Sequence, residues 1–140
     1  MKIKVFLHLL DLLEFFFCVT ASPQPCAHFD FPTVNDSLVM AEENSTIILP
    51  FQLKKENTCR MQDEYILKVS RIANLTHVQC TILQQNTTCL YPGRAAKCMC
   101  TDKPGMYRLS HKANRLDNAV WEWFSSNEKI KPRSLRFNVS

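Results

Sequence analysis

Glycine is almost missing from this chain: its 140 residues contain two, Gly93 and Gly105. That excludes glycine-rich phosphate loops and the dinucleotide-binding turn, both of which need several glycines close together. Around His28, His77 and His111 there is no G-x-S-x-G elbow and no H-E-x-x-H pair, so neither a serine hydrolase nor a zinc protease is signalled. The acidic pairs Glu42-Glu43 and Asp63-Glu64 are sequence neighbours, and their side chains diverge instead of flanking a glycosidic bond. Cys98-Met99-Cys100 lacks the second knuckle that a zinc site with His77 or His111 would need. After the N-terminal segment, no apolar run reaches the ~18–20 residues that cross a bilayer. The Ser134–Ser140 end is too short and polar for an anchor. No aromatic-basic motif for nucleic acid is present. The expectation is a non-enzymatic chain without catalytic residues, metal, cofactor, nucleic-acid partner or transmembrane anchor.

The N-terminus carries Lys2 and Lys4, then the apolar stretches Val5–Leu10 and Phe15–Val19, then Val19-Thr20-Ala21. A charged start, an apolar centre and small residues at −3 and −1 read as a signal peptide over 1–21. Asp11 and Glu14 interrupt the apolar run, and Leu9, Leu10, Leu13, Phe16 and Phe17 also fit an amphipathic helix. Removal of 1–21 would leave one domain's length of chain. The expected product is secreted, or is the ectodomain of a longer surface protein.

Six cysteines then remain: Cys26, Cys59, Cys80, Cys89, Cys98 and Cys100. An even count in a small exported chain reads as three disulfides. In an extended segment Cys98 and Cys100 point to one face and are poorly placed to bond each other. The spacing suggests a local Cys80–Cys89 bridge, with Cys26 and Cys59 reaching Cys98 and Cys100 in either order. Asn35, Asn44, Asn74, Asn86 and Asn138 each open an N-x-[ST] triplet, where random placement would give about one. A surface carrying N-glycans follows, with each acceptor at a turn or an exposed strand position. Residues 22–93 carry five basic and seven acidic side chains, whereas 94–140 carry ten and four. The basic half suits either a solvated surface or contact with sulfated glycans or anionic headgroups.

Seven stretches alternate or are rich in β-branched and aromatic residues: 37–40, 46–53, 65–72, 77–83, 106–112, 119–125 and 135–139. Short strands at such spacing predict an all-β antiparallel sandwich. Pro50 cannot donate to a ladder, so a bulge or an edge is expected there. In Val120-Trp121-Glu122-Trp123-Phe124 both indoles share a face. They read first as core; the competing reading is an exposed contact strip.

Asp102-Lys103-Pro104-Gly105-Met106-Tyr107-Arg108-Leu109 resembles the Asp-x-Gly-x-Tyr-x-Cys segment leading into strand F of immunoglobulin domains. Gly105 and Tyr107 match in spacing, Asp102 is displaced by one residue, and Leu109 stands where cysteine belongs. Phe51 takes the strand-B cysteine position, and Tyr65, fourteen residues on, lies near the strand-C tryptophan position. Glu43-Asn44-Ser45-Thr46 also resembles the approach to strand B. The resemblance implies an Ig-like sandwich over 33–140 after an N-terminal segment, 22–32. It further implies a Phe51–Leu109 contact in place of the usual inter-sheet disulfide, with compensation from non-standard bridges.

The expected role is recognition of an extracellular protein or glycan. A soluble cysteine-rich effector of cytokine, toxin or inhibitor type is the alternative. Because 90–137 has no glycan acceptor, Arg108, Lys112, Arg115, Trp121 and Trp123 are the candidate contacts. Oligomeric state is left open.

Overall fold

The computed structural model describes residues 24–91 and 97–140. The expected signal peptide and most of the Tyr91-Pro92-Gly93 turn lie outside them. Among the described residues eleven strands form two sheets. The strands are β1 (Ala27–Asp30), β2 (Leu38–Ala41), β3 (Thr46–Lys55), β4 (Glu64–Ile72), β5 (Thr76–Gln85), β6 (Thr88–Leu90), β7 (Cys98–Cys100), β8 (Met106–Lys112), β9 (Val120–Ser125), β10 (Ile130–Lys131) and β11 (Arg133–Val139). One sheet has five strands in the order β10-β1-β3-β8-β7, and the other has six in the order β2-β11-β9-β4-β5-β6. This is the strand arrangement of a variable-type immunoglobulin domain, with β1, β3, β8 and β7 as strands A, B, E and D and β11, β9, β4 and β5 as G, F, C and C′. The expected Ig-like sandwich is thus the observed fold. The strands that the sequence pattern does not announce, β1, β6, β7 and β10, have four residues or fewer. β1 lies upstream of residue 33, yet Phe29 on it is fully buried, so the sandwich includes what the sequence reads as an N-terminal segment.

Two local expectations are corrected. Tyr107 belongs to β8, which pairs with β3 in the register Phe51↔Tyr107 and Leu49↔Leu109. It is therefore in strand E, and Leu109 lies in the same sheet as Phe51 and not across the core from it. Strand F is β9. The segment Asp117-Asn118-Ala119-Val120-Trp121-Glu122-Trp123 enters it with Trp121 at the corner tyrosine position and Trp123 at the cysteine position. The indole N–H of Trp121 donates to the Asp117 carbonyl at 3.2 Å, which reproduces the corner hydrogen bond of the family with a different side chain.

Pro50 is the second correction, for it sits in an inner strand without a register shift. The Leu53 N–H donates toward β8, to the Gly105 carbonyl at 3.1 Å. By alternation the Pro50 nitrogen faces the other side. There β1 pairs only with Gln52–Lys55, so the missing donor leaves no ladder bond unmade. The bulge falls instead where Val69/Ser70 meet Cys80/Val78, with Gln79 as the extra residue.

Aromatic rings fill the core. Phe51 packs on Tyr107 at 5.5 Å and Trp123 at 6.0 Å, Phe31 meets Trp123 edge-on at 4.7 Å, and Trp121 stacks on Phe137 at 4.4 Å. The three disulfides are Cys26–Cys59, Cys80–Cys98 and Cys89–Cys100. The local Cys80–Cys89 bridge is not formed, because β5 and β6 pair as a tight hairpin with Gln84↔Cys89 in register while β7 in the opposite sheet supplies both partners. The inter-sheet staples have moved from the middle of the sandwich to its β5–β6–β7 edge.

Candidate functional site

Strand alternation gives each sheet an inner and an outer face, and the two outer faces differ in chemistry. On the six-stranded sheet, the partition that buries Trp121 and Trp123 turns Val120, Glu122 and Phe124 outward. Phe124 is 47% exposed. Its cross-strand neighbours are Lys68 and, one strand further, Thr81. The next row is Ile66, Leu83 and Leu90, of which Leu90 is 48% exposed. Ser70 lies between Glu122 and Val78, and Val78 is 54% exposed. At the β2 edge, Leu38 and Met40 stand beside Arg136 and Asn138, and both are exposed. Most exposed large apolar side chains among the described residues share this surface. Its charged strand residues, Glu64, Lys68, Glu122 and Arg136, are few and of mixed sign.

The outer face of the five-stranded sheet is basic. It presents Lys131, His28, Lys54, Arg108 and Lys112, with Asp30 as its acidic strand residue. Asp30 pairs with Lys54 at 3.6 Å and accepts from Gln52 Nε2 at 2.8 Å. The Gln52 hydrogen bond and the nearby cations hold its carboxyl below the ordinary value.

Between the faces lies a buried polar node. Asp117 is fully buried and accepts from Arg71 Nη1 at 2.9 Å, His111 Nε2 at 2.8 Å and the Asn114 backbone N–H at 2.8 Å. Arg71 comes from β4 and His111 from β8, so one carboxylate ties the two sheets at the turn that launches β9. Desolvation holds the Lys97 amine below its ordinary value, and its Nζ donates to Gln79 Oε1 of the bulge at 2.7 Å. Burial, with the Tyr65 phenol beside it, raises the Tyr107 hydroxyl above its ordinary value, and that hydroxyl donates to Gln84 Oε1 at 2.9 Å.

The sequence-predicted contact residues are dispersed. Trp121 and Trp123 are fully buried and cannot touch a partner, which is the core reading of that pair. Arg108 and Lys112 lie on the basic face. Arg115 sits in the 3-10 turn Arg115–Asp117 and is bonded to Glu43 at 3.1 Å. Among the fold-defining positions, Phe51, Tyr65, Tyr107 and Leu109 are buried and Gly105 turns the chain into β8 at φ 77°. Cys89, Cys98 and Cys100 are held in disulfides, so no thiolate set is left to them. All five asparagines of the N-x-[ST] triplets are exposed, and Asn44 and Asn86 adopt positive φ at turns. Phe124 is the residue that sequence reasoning missed. Its signal was present, since the alternation that hides two indoles must expose their neighbour.

No family model matches the chain, and no curated protein matches it. Solved structures do. A VGSC beta subunit studied for multimeric cell-adhesive interactions is similar with TM-score 0.56 and 12% identity over 74% of this chain and 90% of that one. The RIG-5 IG1 homodimer is similar with TM-score 0.53 and 8% identity over 80% and 97%. The extracellular domain of the voltage-gated sodium channel beta4 subunit, a parallel homodimer, is similar with TM-score 0.53 and 13% identity over 73% and 88%. The chain has an immunoglobulin-like fold. Among the described residues no helix is long and apolar enough to cross a membrane.

Proposed function

We propose that this chain is an exported, N-glycosylated recognition module that binds a protein partner through the outer face of its six-stranded sheet. The observation that carries the reading is the row Ile66, Leu83 and Leu90 with Phe124 diagonal to it, placed by register across four strands, and Val78 two rows away on the same face. A monomer gains nothing by exposing such a patch, whereas an interface core of apolar and aromatic side chains with few charges, Lys68 among them, matches it. Cleavage after Ala21 and glycans at Asn35, Asn44, Asn74, Asn86 and Asn138 belong to the same reading. Asn35, Asn44 and Asn74 lie in turns off the patch, Asn86 is in the β5–β6 turn at its end beyond Leu83 and Leu90, and Asn138 is at its β2 margin beside Met40. The bridges, two of which join opposite sheets, fit a sandwich module better than the nested loops of a cysteine-rich effector. Similar folds occur as homodimers in RIG-5 IG1 and the beta4 subunit, so a second copy of this chain is the first partner to test.

The experiment compares wild type with Phe124→Asp, measuring self-association by sedimentation equilibrium and binding to intact cells by flow cytometry. Thermal unfolding verifies that the variant is folded. A loss of about tenfold or more in affinity is expected for an aromatic anchor. A folded Phe124→Asp protein that binds as wild type does, or a wild type that binds neither itself nor cells, overturns the proposal.

A further inference from the structure

Strand pairing on the five-stranded sheet sets Lys131, His28 and Lys54 side by side, one on each of β10, β1 and β3. All three are exposed. With neighbouring strands about 4.8 Å apart, the two lysines stand roughly 10 Å from each other, a little beyond the ~8 Å Debye length at physiological salt. Their mutual repulsion is therefore largely screened, and the row stands in the free protein at little cost. Among the described residues Lys131 has no ion pair, and Lys54 is matched only by Asp30. A cavity of about 440 Å³ opens beside the row, lined by His28, Lys131 and Arg133 together with Glu56. The Arg133 guanidinium lies 5.1 Å from the centre of the Phe31 ring and donates to the Phe29 carbonyl at 3.3 Å, which fixes it at the cavity edge. Further along the same face follow Arg108 and Lys112. None of the N-x-[ST] asparagines lies on the strands of this sheet.

We propose that this face is a second binding site, and that it takes a sulfated polysaccharide laid across β10, β1 and β3. Permanent anions spaced along a linear chain meet the row lysine by lysine, and each contact releases counterions as on other linear polyanions. An open sheet face accommodates an extended chain without a deep pocket. A bilayer is the weaker match, because surface attachment draws on apolar side chains entering the headgroup layer. The exposed apolar residue of this face, Ile48, is six positions along β3 from Lys54, roughly 20 Å away. The site is on the opposite sheet from the protein-binding patch and does not depend on it; it rests only on the chain being extracellular.

The test uses the full chain with its disulfides formed, immobilised heparin, N- and O-desulfated heparin, and vesicles containing phosphatidylserine. Wild type is compared with Lys131→Gln/Lys54→Gln and with Lys68→Gln/Arg136→Gln, which removes equal charge from the other face. The expected result is heparin binding that weakens about tenfold or more in the first double variant, with a shallower salt dependence, and by less than about threefold in the second. Equal losses in the two variants would reduce the effect to net charge. Binding that survives desulfation, or appears only on vesicles, would overturn the assignment.

Discussion

Phe51 on β3 and Trp123 on β9 face each other from opposite sheets with ring centroids 6.0 Å apart and planes at 71°. They occupy the interval that a strand B–strand F disulfide spans in the domains this chain resembles. Here it is closed by an edge-to-face aromatic contact, with Phe31 edge-on to Trp123, and the covalent links between sheets lie at the β5–β6–β7 edge.

The two tryptophans are expected to differ in a measurable way. Both are fully buried, but Trp121 Nε1 donates to the Asp117 carbonyl whereas Trp123 Nε1 has no partner. Replacement by phenylalanine removes similar volume at each site, and only Trp121→Phe breaks a hydrogen bond. Trp121→Phe should cost about 1 kcal/mol more than Trp123→Phe in urea unfolding. Trp123→Ala should cost about 3–5 kcal/mol.

Asp117 links β4, β8 and the turn before β9 through Arg71, His111 and Asn114. Asp117→Ala strands a guanidinium that is largely buried, with a side-chain exposure of 17%, and should cost about 3–5 kcal/mol. Arg115→Ala removes only an exposed pair with Glu43 and should change stability by less than about 1 kcal/mol. Chemical denaturation of the two variants side by side checks both values.

The disulfides close loops of different length, with sequence separations of 33 for Cys26–Cys59 and 11 for Cys89–Cys100. In the chain-entropy account the longer loop contributes about 1 kcal/mol more. Replacing both cysteines of the first pair by alanine should therefore lower stability more than the same change in the second. Each loss should fall within about 2–5 kcal/mol.

Tyr107 governs part of the alkaline limb. Burial raises its folded value above the ordinary 10.0, so the unfolded chain gives up this proton first. The phenol's contribution is complete below pH 10.0 and is lost as pH rises beyond it. Tyr107→Phe should lower stability at neutral pH, since Gln84 loses its buried donor, yet flatten the decline measured by denaturation above that pH.

Much of the architecture was legible because seven strands carry alternation or β-branched runs long enough to stand out, Met106–Lys112 among them at its observed bounds. What the chain obscures is which strand is which. A glycine at φ 77° followed two residues later by a buried tyrosine imitates the entry to strand F, while the true entry hides its corner tyrosine and its cysteine as Trp121 and Trp123. Bridge pairing was illegible for a related reason. β7 is three residues long and offers both Cys98 and Cys100 to the facing sheet, a tertiary arrangement that spacing does not encode. The patch around Phe124 is assembled from four strands by register, so no single segment displays it.

Single substitutions can place a glycan on either outer face. Lys68→Asn creates Asn-Val-Ser at 68–70 in the middle of the apolar patch, and Arg108→Asn creates Asn-Leu-Ser at 108–110 on the basic face. Both variants would be secreted from animal cells, their occupancy verified by mass spectrometry, and their self-association and cell binding measured. The expected result is that Lys68→Asn abolishes protein binding while Arg108→Asn leaves it within about twofold of wild type, since interface energy concentrates in a few central residues. Binding retained with an occupied glycan at 68, or lost only with one at 108, would contradict the assignment of the six-stranded face.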